Sequence, residues 1–266
     1  MSSTIKLSSP ATKEFWEIPV LFEDEHLLAL DKPPGLLTSP DRAEPARPSL
    51  MGLLHAGIAE GKPWAVARAL SYLALTHRLD SEASGVLLLA KNKASFISLA
   101  NQFGADQPVK TFVLILPGTP PSPEWEVKIA IAPHPGQPGL MRADSRTGKQ
   151  AHTRFAVREQ FRGYTLVQAQ PLTSRPHQVR VHLQHWGLSI SADTLYGGKP
   201  LLLSRLKPGY RLKPGKTERP LLAHAALHAE RLEVVHPVTA QPLVITAECP
   251  KDFAVALKFL RRHAAL

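Results

Sequence analysis

Twenty-five prolines among 266 residues, nearly twice the usual share of about 5%, constrain this chain more than any other feature. Proline ends or kinks a helix wherever it falls inside one, so many loops, short strands and few long helices are expected. The remaining composition is globular: 44% hydrophobic and 20% charged residues exclude a disordered chain and a fibre. At this length the chain holds one large domain or two small ones and buries a core without staples. Its single cysteine, Cys249, fits a reducing compartment and excludes an internal disulfide or a cysteine-based zinc module. No apolar run approaches the roughly 18 residues of a membrane span. Residues 1–10 lack a signal-peptide core, so a cytoplasmic protein is expected.

Residues 1–17 are polar and aperiodic and read as a flexible leader, with order from Ile18. The run 20–30 is strand-like and stops at Asp31, Lys32, Pro33, Pro34 and Gly35, a sharp loop. Residues 41–48, rich in Pro, Arg and Ala, read as scaffold, after which Ser49 caps a short helix carrying Leu50, Leu53 and Leu54. Residues 85–90 and 112–116 are brief apolar runs. Between them Phe96, Ala100 and Phe103 repeat at i, i+4 and i+7 before Gly104, giving the order strand, helix, strand. Residues 153–157 and 164–169 form a hairpin about Arg162 and Gly163. Val179, Leu183 and Trp186 share a helical face, and because Pro176 is tolerated only in a first turn, that helix is expected to start near Ser174. Residues 243–247 read as a late strand, and Asp252 caps a closing helix that aligns Phe253, Leu257 and Leu260. The mixture, with its antiparallel connections, is α+β.

Thirty-two Lys and Arg against 22 Asp and Glu leave a formal charge of +10, which favours a polyanionic partner, nucleic acid first and an anionic membrane surface second. Residues 205–209 and 211–215 both spell Arg-Leu-Lys-Pro-Gly, a repeat too short for a solenoid. They lie in a segment, 199–219, with seven basic residues and one acidic residue, Glu218. Such a run is either a solvated excursion or an arm whose Lys199, Arg205, Lys207, Arg211 and Lys213 contact phosphates. The repeat and the net charge favour the arm.

The densest chemical cluster runs His77, Arg78, Leu79, Asp80, Ser81, Glu82, Ala83, Ser84, Gly85, just before an apolar strand. A carboxylate at a strand entrance is well placed for chemistry, and the glycine permits close backbone approach to a ligand. The structural alternative is a loop whose Asp80 pairs with Arg78 or caps a turn. A kinase catalytic loop is excluded, because it needs His-Arg-Asp without an intervening Leu, a Gly-rich phosphate loop and a later Asp-Phe-Gly. The histidine pairs His182 with His185 and His224 with His228 lack a neighbouring Cys or carboxylate, so no metal is expected.

Five segments in order carry a resemblance. The Asp80 cluster resembles the His-Arg-Leu-Asp-x-x-Thr-Ser-Gly signature of the RluA class of RNA pseudouridine synthases. Asp31, Lys32, Pro33 and Gly35 resemble that family's Lys-Pro-x-Gly loop, and Lys110 with Phe112 its Lys-x-Tyr element. Arg175, His177, Gln178, Val179, Arg180, His182 and Leu183 resemble its Arg-x-His-Gln-Ile-Arg-x-His-Leu, followed by Asp193, Leu195, Tyr196 and Gly197. Leu227, His228 and Ala229, then His236 and Pro237, resemble its closing strand. Five matches in the family's order over residues 18–255 make the resemblance specific.

The resemblance implies isomerisation of a uridine in RNA: the bond from ribose to N1 breaks and the sugar rejoins through C5. It makes Asp80 the catalytic nucleophile, which must be ionised whether it adds to the ring, attacks the sugar or removes a ribose proton. Arg180 is the expected ion-pair partner that keeps it charged, and Phe112 the face on which the extruded base stacks. His77, Arg78, Leu79, Lys110, Arg175 and His177 are the expected substrate-binding residues, His177 on the same helical face as Arg180. Phe112 replaces the usual Tyr, Ala83 the usual Thr, and Pro176 the usual Thr or Ser.

The implied fold is that of the pseudouridine synthases, a bent, mixed, largely antiparallel sheet with flanking helices and a central cleft. Residues 18–266 are expected as one catalytic domain with the basic insertion at 199–219 and no S4-like domain before it. Expected partners are structured RNA, ribosomal or transfer, with no cofactor, membrane or obligate protein partner, and a monomeric state. Two other classes remain: an inert RNA-binding relative, and a glycosidase-like hydrolase using Asp80 with Glu82.

Overall fold

The computed structural model describes residues 4–41, 44–213 and 215–266. The first three leader residues, Arg42 and Ala43 of the 41–48 stretch, and Pro214 of the second Arg-Leu-Lys-Pro-Gly copy lie outside the described residues. In chain order the elements begin β1 (Thr4–Ser9), β2 (Glu14–Glu23), β3 (Leu27–Lys32), α1 (Leu50–Ala59), α2 (Pro63–Val66), β4 (Ala74–Leu75), β5 (Ser84–Ala90) and α3 (Lys93–Gly104). They continue β6 (Val109–Pro117), β7 (Glu124–Lys128), β8 (Ile131–Pro133), β9 (Met141–Ala143), β10 (His152–Phe161), β11 (Tyr164–Pro171) and α4 (Gln178–His185). A 3-10 turn (Thr194–Tyr196), α5 (Leu203–Leu206), β12 (Leu227–Val235), β13 (Pro242–Thr246) and α6 (Lys251–His263) complete the chain. The longest described helix, α6, has 13 residues, in keeping with the proline density. No described helix is long and apolar enough to cross a membrane.

Within what the sequence reads as one domain, the chain gathers into two compact units, Met1–Val109 with Ala229–Glu248, and Lys110–His228 with Cys249–Leu266. Both are α+β.

In the first unit the strand order is β1-β2-β3-β5-β12, with β13 against β12 and β4 against β5. Pairs β1/β2, β2/β3, β3/β5 and β12/β13 are antiparallel. Strands β3 and β5 are buried on both faces, which is why residues 85–90 read as an unbroken apolar run. On one face Leu27, Ala29, Val86 and Leu88 pack with Leu99 and Phe103 of α3 and with Leu232, Val234 and Ile245. Truncating such a residue to Ala costs about 2–5 kcal/mol. Asn92 caps α3 through its side chain, accepting from the Ser95 N–H, and Ser49 caps α1 by accepting from the Gly52 N–H.

In the second unit the order is β6-β11-β10-β7, antiparallel throughout, with β8 and β9 as a separate ribbon. Helix α4 buries Val179, Val181 and Leu183 and packs on β9, β10 and β11. The β10–β11 hairpin closes with Phe161 opposite Tyr164, about Arg162 and Gly163 as the sequence indicates.

Three expectations need correction. The flexible leader is, from Thr4 onward, a paired hairpin in which Ile5 opposes Ile18 and Leu7 opposes Trp16. The run 20–30 is two strands, because Asp24 Oδ1 accepts from the N–H groups of His26 and Leu27 and turns the chain. Helix α4 starts at Gln178, after Pro176: His177 has a left-handed backbone, φ 54°, which no helix continues through.

Candidate active site

Asp80 belongs to the first unit and opens a turn closed by the Ala83 N–H donating to Asp80 O at 3.1 Å. The turn is fixed from several sides. Thr38 Oγ1 donates to Leu79 O at 2.6 Å and accepts from the Leu79 N–H at 3.3 Å. The Gly35 N–H donates to Ser81 O at 2.8 Å. The fully buried Lys32 donates from Nζ to the carbonyls of Pro33 (2.8 Å), Leu36 (2.7 Å) and Ser81 (3.2 Å). The Asp-Lys-Pro-x-Gly loop is therefore the clamp of the Asp80 turn, a task spacing along the chain does not reveal.

The neighbours divide by exposure. Leu79 is buried and anchors the turn, Asp80 is half-buried, and Arg78 is exposed. The His77 ring stacks on Phe103 at 4.8 Å, and its Nε2 accepts from the Leu88 N–H at 3.0 Å. That bond holds His77 against β5 and assigns its ring proton to Nδ1. Gly85 permits a close approach, but of protein: a Cβ there would lie 2.2 Å from Ala229 O, so the glycine is set by packing of β5 on β12.

Burial also tunes charge at this turn. Desolvation draws the Lys32 ammonium down to about 7, against the opposing pull of Asp80, Glu82 and Asp31. Desolvation pushes the Asp31 carboxyl up to about 6, with Lys32 and the Gly85 N–H acting the other way.

In the second unit, Lys110 and Phe112 lie two residues apart on β6 and so on one face. Phe112 is the half-buried member of an otherwise buried run through Leu116 and stands opposite Ala169. Lys110 Nζ donates to Ser174 Oγ. Arg175 donates from Nε to Gln150 O at 3.0 Å, and its N–H donates to Gln178 Oε1 at 3.1 Å. His177 Nδ1 lies 2.7 Å from the Tyr196 hydroxyl. His177 caps α4 with a left-handed backbone, φ 54°, and its ring meets the same Tyr196 that Arg180 faces.

Arg180 is almost wholly buried and is gripped at both ends by Asp193: Nε donates to Oδ2 and Nη2 to Oδ1, each at 2.7 Å. Its guanidinium carbon also stands 4.6 Å from the Tyr196 ring centre. Asp193 and Tyr196 sit in a motif segment quoted from the sequence, but their pairing with Arg180 and His177 has no local signal there. His182 is likewise sealed in, where burial lowers it to about 4. Among the described residues no three His, Cys, Asp or Glu side chains gather to hold a metal ion.

The basic segment is closed at its neck by the Leu221 N–H donating to Leu201 O at 2.8 Å. Lys199, Arg205, Lys207, Arg211 and Lys213 are all exposed along it.

Comparison with known proteins follows the same residues. A family model described as RNA pseudouridylate synthase matches residues 26–185, a span that contains Asp80, Phe112 and Arg180. Ribosomal large subunit pseudouridine synthase D of Xylella fastidiosa is 34% identical over 94% of this chain and 71% of its own. The chain belongs to the RNA pseudouridine synthase family. Ribosomal large subunit pseudouridine synthase C of Salmonella typhi is 30% identical over 92% of this chain and 70% of its own. Human RNA Pseudouridylate Synthase Domain Containing 4 matches the structure with a TM-score of 0.65 and 25% identity, over 91% of this chain and 92% of that one. Human RNA Pseudouridylate Synthase Domain Containing 1 shares the fold, with a TM-score of 0.63 and 21% identity over 88% and 84% of the two chains.

As a pseudouridine synthase the protein is an isomerase of RNA uridines. Its departures from the family pattern have local readings. Ala83 retains the turn bond to Asp80 O through its backbone, with its methyl buried. Pro176, itself exposed, precedes α4 between half-buried Arg175 and His177. Phe112 keeps an aromatic face and lacks a hydroxyl.

Proposed function

We propose that this pseudouridine synthase acts on uridine in large-subunit ribosomal RNA, with Asp80 as the group that attacks the substrate. The observation that carries the reading is the Asp80 turn itself: a half-buried aspartate whose flanking residues, Leu79 and Ser81, are held at their backbone by Thr38, Gly35 and the buried Lys32. Fixed geometry is what a nucleophile or base requires. In the reaction the N1–C1′ bond breaks, C5 takes N1's place on C1′, and the C5 proton is lost while N1 gains one, so no cofactor is needed. Phe112 offers the extruded uracil a stacking face, and Lys110 and Arg175 offer the backbone phosphates beside that nucleotide a positive charge. The exposed basic segment extends that contact. The names of the relatives support ribosomal over transfer RNA. The same reading includes a cytoplasmic enzyme working as a monomer.

Pseudouridine mapping of total RNA from a deletion strain, complemented with wild type or with Asp80→Ala, tests this. One site in large-subunit RNA should vanish and return only with wild type. The replacement of Tyr by Phe112 favours one other reading, an RNA binder without turnover, for which Asp80→Asn would leave binding intact and no product would form with purified wild type.

A further inference from the structure

Helix α6 carries a charge pattern that neither the reaction nor the basic segment accounts for. Its buried side presents Phe253, Ala256, Leu257 and Leu260 to the second unit, and its exposed side carries Lys251, Val255, Lys258 and Arg262. These four follow at i, i+4, i+7 and i+11, one continuous stripe about 16 Å long at the helical rise. The only acidic residue of the helix, Asp252, is turned to its first turn, where it accepts from the Phe253 N–H. Arg261 is spent on Glu159, which accepts from its Nε and Nη2 at 3.2 Å or less. Lys251, Lys258 and Arg262 appear in no ion pair among the described residues.

The stripe does not stand alone. Helix α5, within the 199–219 segment, packs on α6 in the same unit. Arg162, exposed at the β10–β11 turn, donates from Nη2 to the carbonyl of His263 at the helix end. Arm and turn thus each adjoin α6, and two carboxylates near it are engaged, Glu218 by the Ser204 N–H at 2.8 Å and Glu159 by Arg261. No exposed aromatic side chain lies on α6, since Phe259 is half-buried and stacked on His263. A surface with cations but no stacking face is suited to backbone phosphates and not to splayed bases.

We infer that the exposed face of α6, continued by the 199–219 segment, is a docking surface for the phosphate backbone of a double-helical stretch of the RNA substrate. The inference rests on the proposed RNA substrate and assigns a second contact, made to a helix of that RNA.

The test compares wild type with Lys251→Gln/Lys258→Gln/Arg262→Gln and with Lys13→Gln, an exposed lysine of the first unit, as control. Binding to a transcribed long-stem RNA hairpin and to poly(U) is measured across a salt series, with thermal melts to confirm that the triple variant folds. Each lost phosphate contact lowers the slope of log K against log salt by about 0.7–0.9, so the triple variant should lose roughly 2–3 from the slope on the hairpin. Binding to poly(U) and the control variant should be unchanged. An unchanged slope on the hairpin overturns the inference, and so does an equal loss on both RNAs, which marks unspecific attraction. If wild type makes no pseudouridine yet the hairpin slope falls, the docking surface stands and the proposed substrate fails. Where the triple variant melts early, Lys258→Gln alone carries the test, with a slope change of about 0.7–0.9.

Discussion

Asp193 holds Arg180 by two parallel hydrogen bonds of 2.7 Å, and both side chains are about 1% exposed. A charge so enclosed is tolerable only while its partner stays charged. The Tyr196 ring 4.6 Å from the guanidinium adds a smaller attraction. Asp193→Asn should therefore destabilise by about 3–5 kcal/mol in urea melts, because it removes the charge that both of these hydrogen bonds of the buried cation reach. Replacing both partners, as Arg180→Met with Asp193→Leu, should recover most of that loss, since an apolar pair of similar volume is often neutral. Turnover should stay absent in the double variant. A stable double variant with normal turnover would remove Arg180 from the reaction and leave it a structural cation.

Why some of this was legible in the chain and some not is a matter of range. Strands β5 and β6 and helix α3 announce themselves through contiguous apolar residues and a nearby cap, all inside one short window. Strand β1 does not: only Ile5 and Leu7 alternate with polar residues, and their burial comes from Ile18 and the rest of the first unit. The start of α4 is obscured because the left-handed turn at His177 depends on Gln178 gathering the Arg175 N–H and the Thr173 hydroxyl. The Asp80 turn was visible as a motif, but its clamp joins Lys32 to Ser81, 49 residues apart, and no local spacing encodes such a contact. The same holds for Arg180 and Asp193, 13 residues apart with a loop between.

Lys32 gives the first unit a pH signature. Its folded-state value, drawn down by burial to about 7, lies below the roughly 10.4 of an unfolded lysine. Between those values the unfolded chain binds a proton that the folded chain has released, so this group makes stability rise with pH from about 7 to about 10. Below about 7 its cost is fully present. In Lys32→Met that rise should disappear from denaturation midpoints measured across the window, while turnover falls because three carbonyls lose their donor. A variant with the wild-type slope would show that Lys32 keeps its proton when folded.

Asp31, next to Lys32, acts with the opposite sign. Burial raises its carboxyl to about 6, above the roughly 3.9 of an unfolded aspartate. The folded chain then holds a proton longer than the unfolded one, and stability falls as pH climbs from about 4 to about 6, with the full cost above it. Asp31→Asn retains an oxygen for the Gly85 N–H and removes the charge. After allowance for its partial exposure, the variant should be more stable than wild type by roughly 1–2 kcal/mol at about pH 7 and equal to it near pH 4. Urea midpoints at the two pH values decide it, and equal differences at both would assign the effect to packing.

Phe112 poses the sharpest question about the reaction, because it replaces a hydroxyl-bearing side chain at the stacking position. If its work is done by the ring face alone, Phe112→Tyr should turn over within about threefold of wild type, since both rings present the same face. Phe112→Leu keeps an apolar side chain of similar reach and removes the face. Stacking of one base contributes about 1–3 kcal/mol, so kcat/KM should fall roughly 5- to 150-fold. Its half-buried position on β6 keeps the structural cost of that change small. The rate is followed as tritium leaving C5 of labelled uridine, the atom whose hydrogen the isomerisation must release. A Phe112→Tyr enzyme more than about tenfold faster than wild type would mean that the hydroxyl carries a proton in this reaction, and that this chain works without a group its chemistry can use.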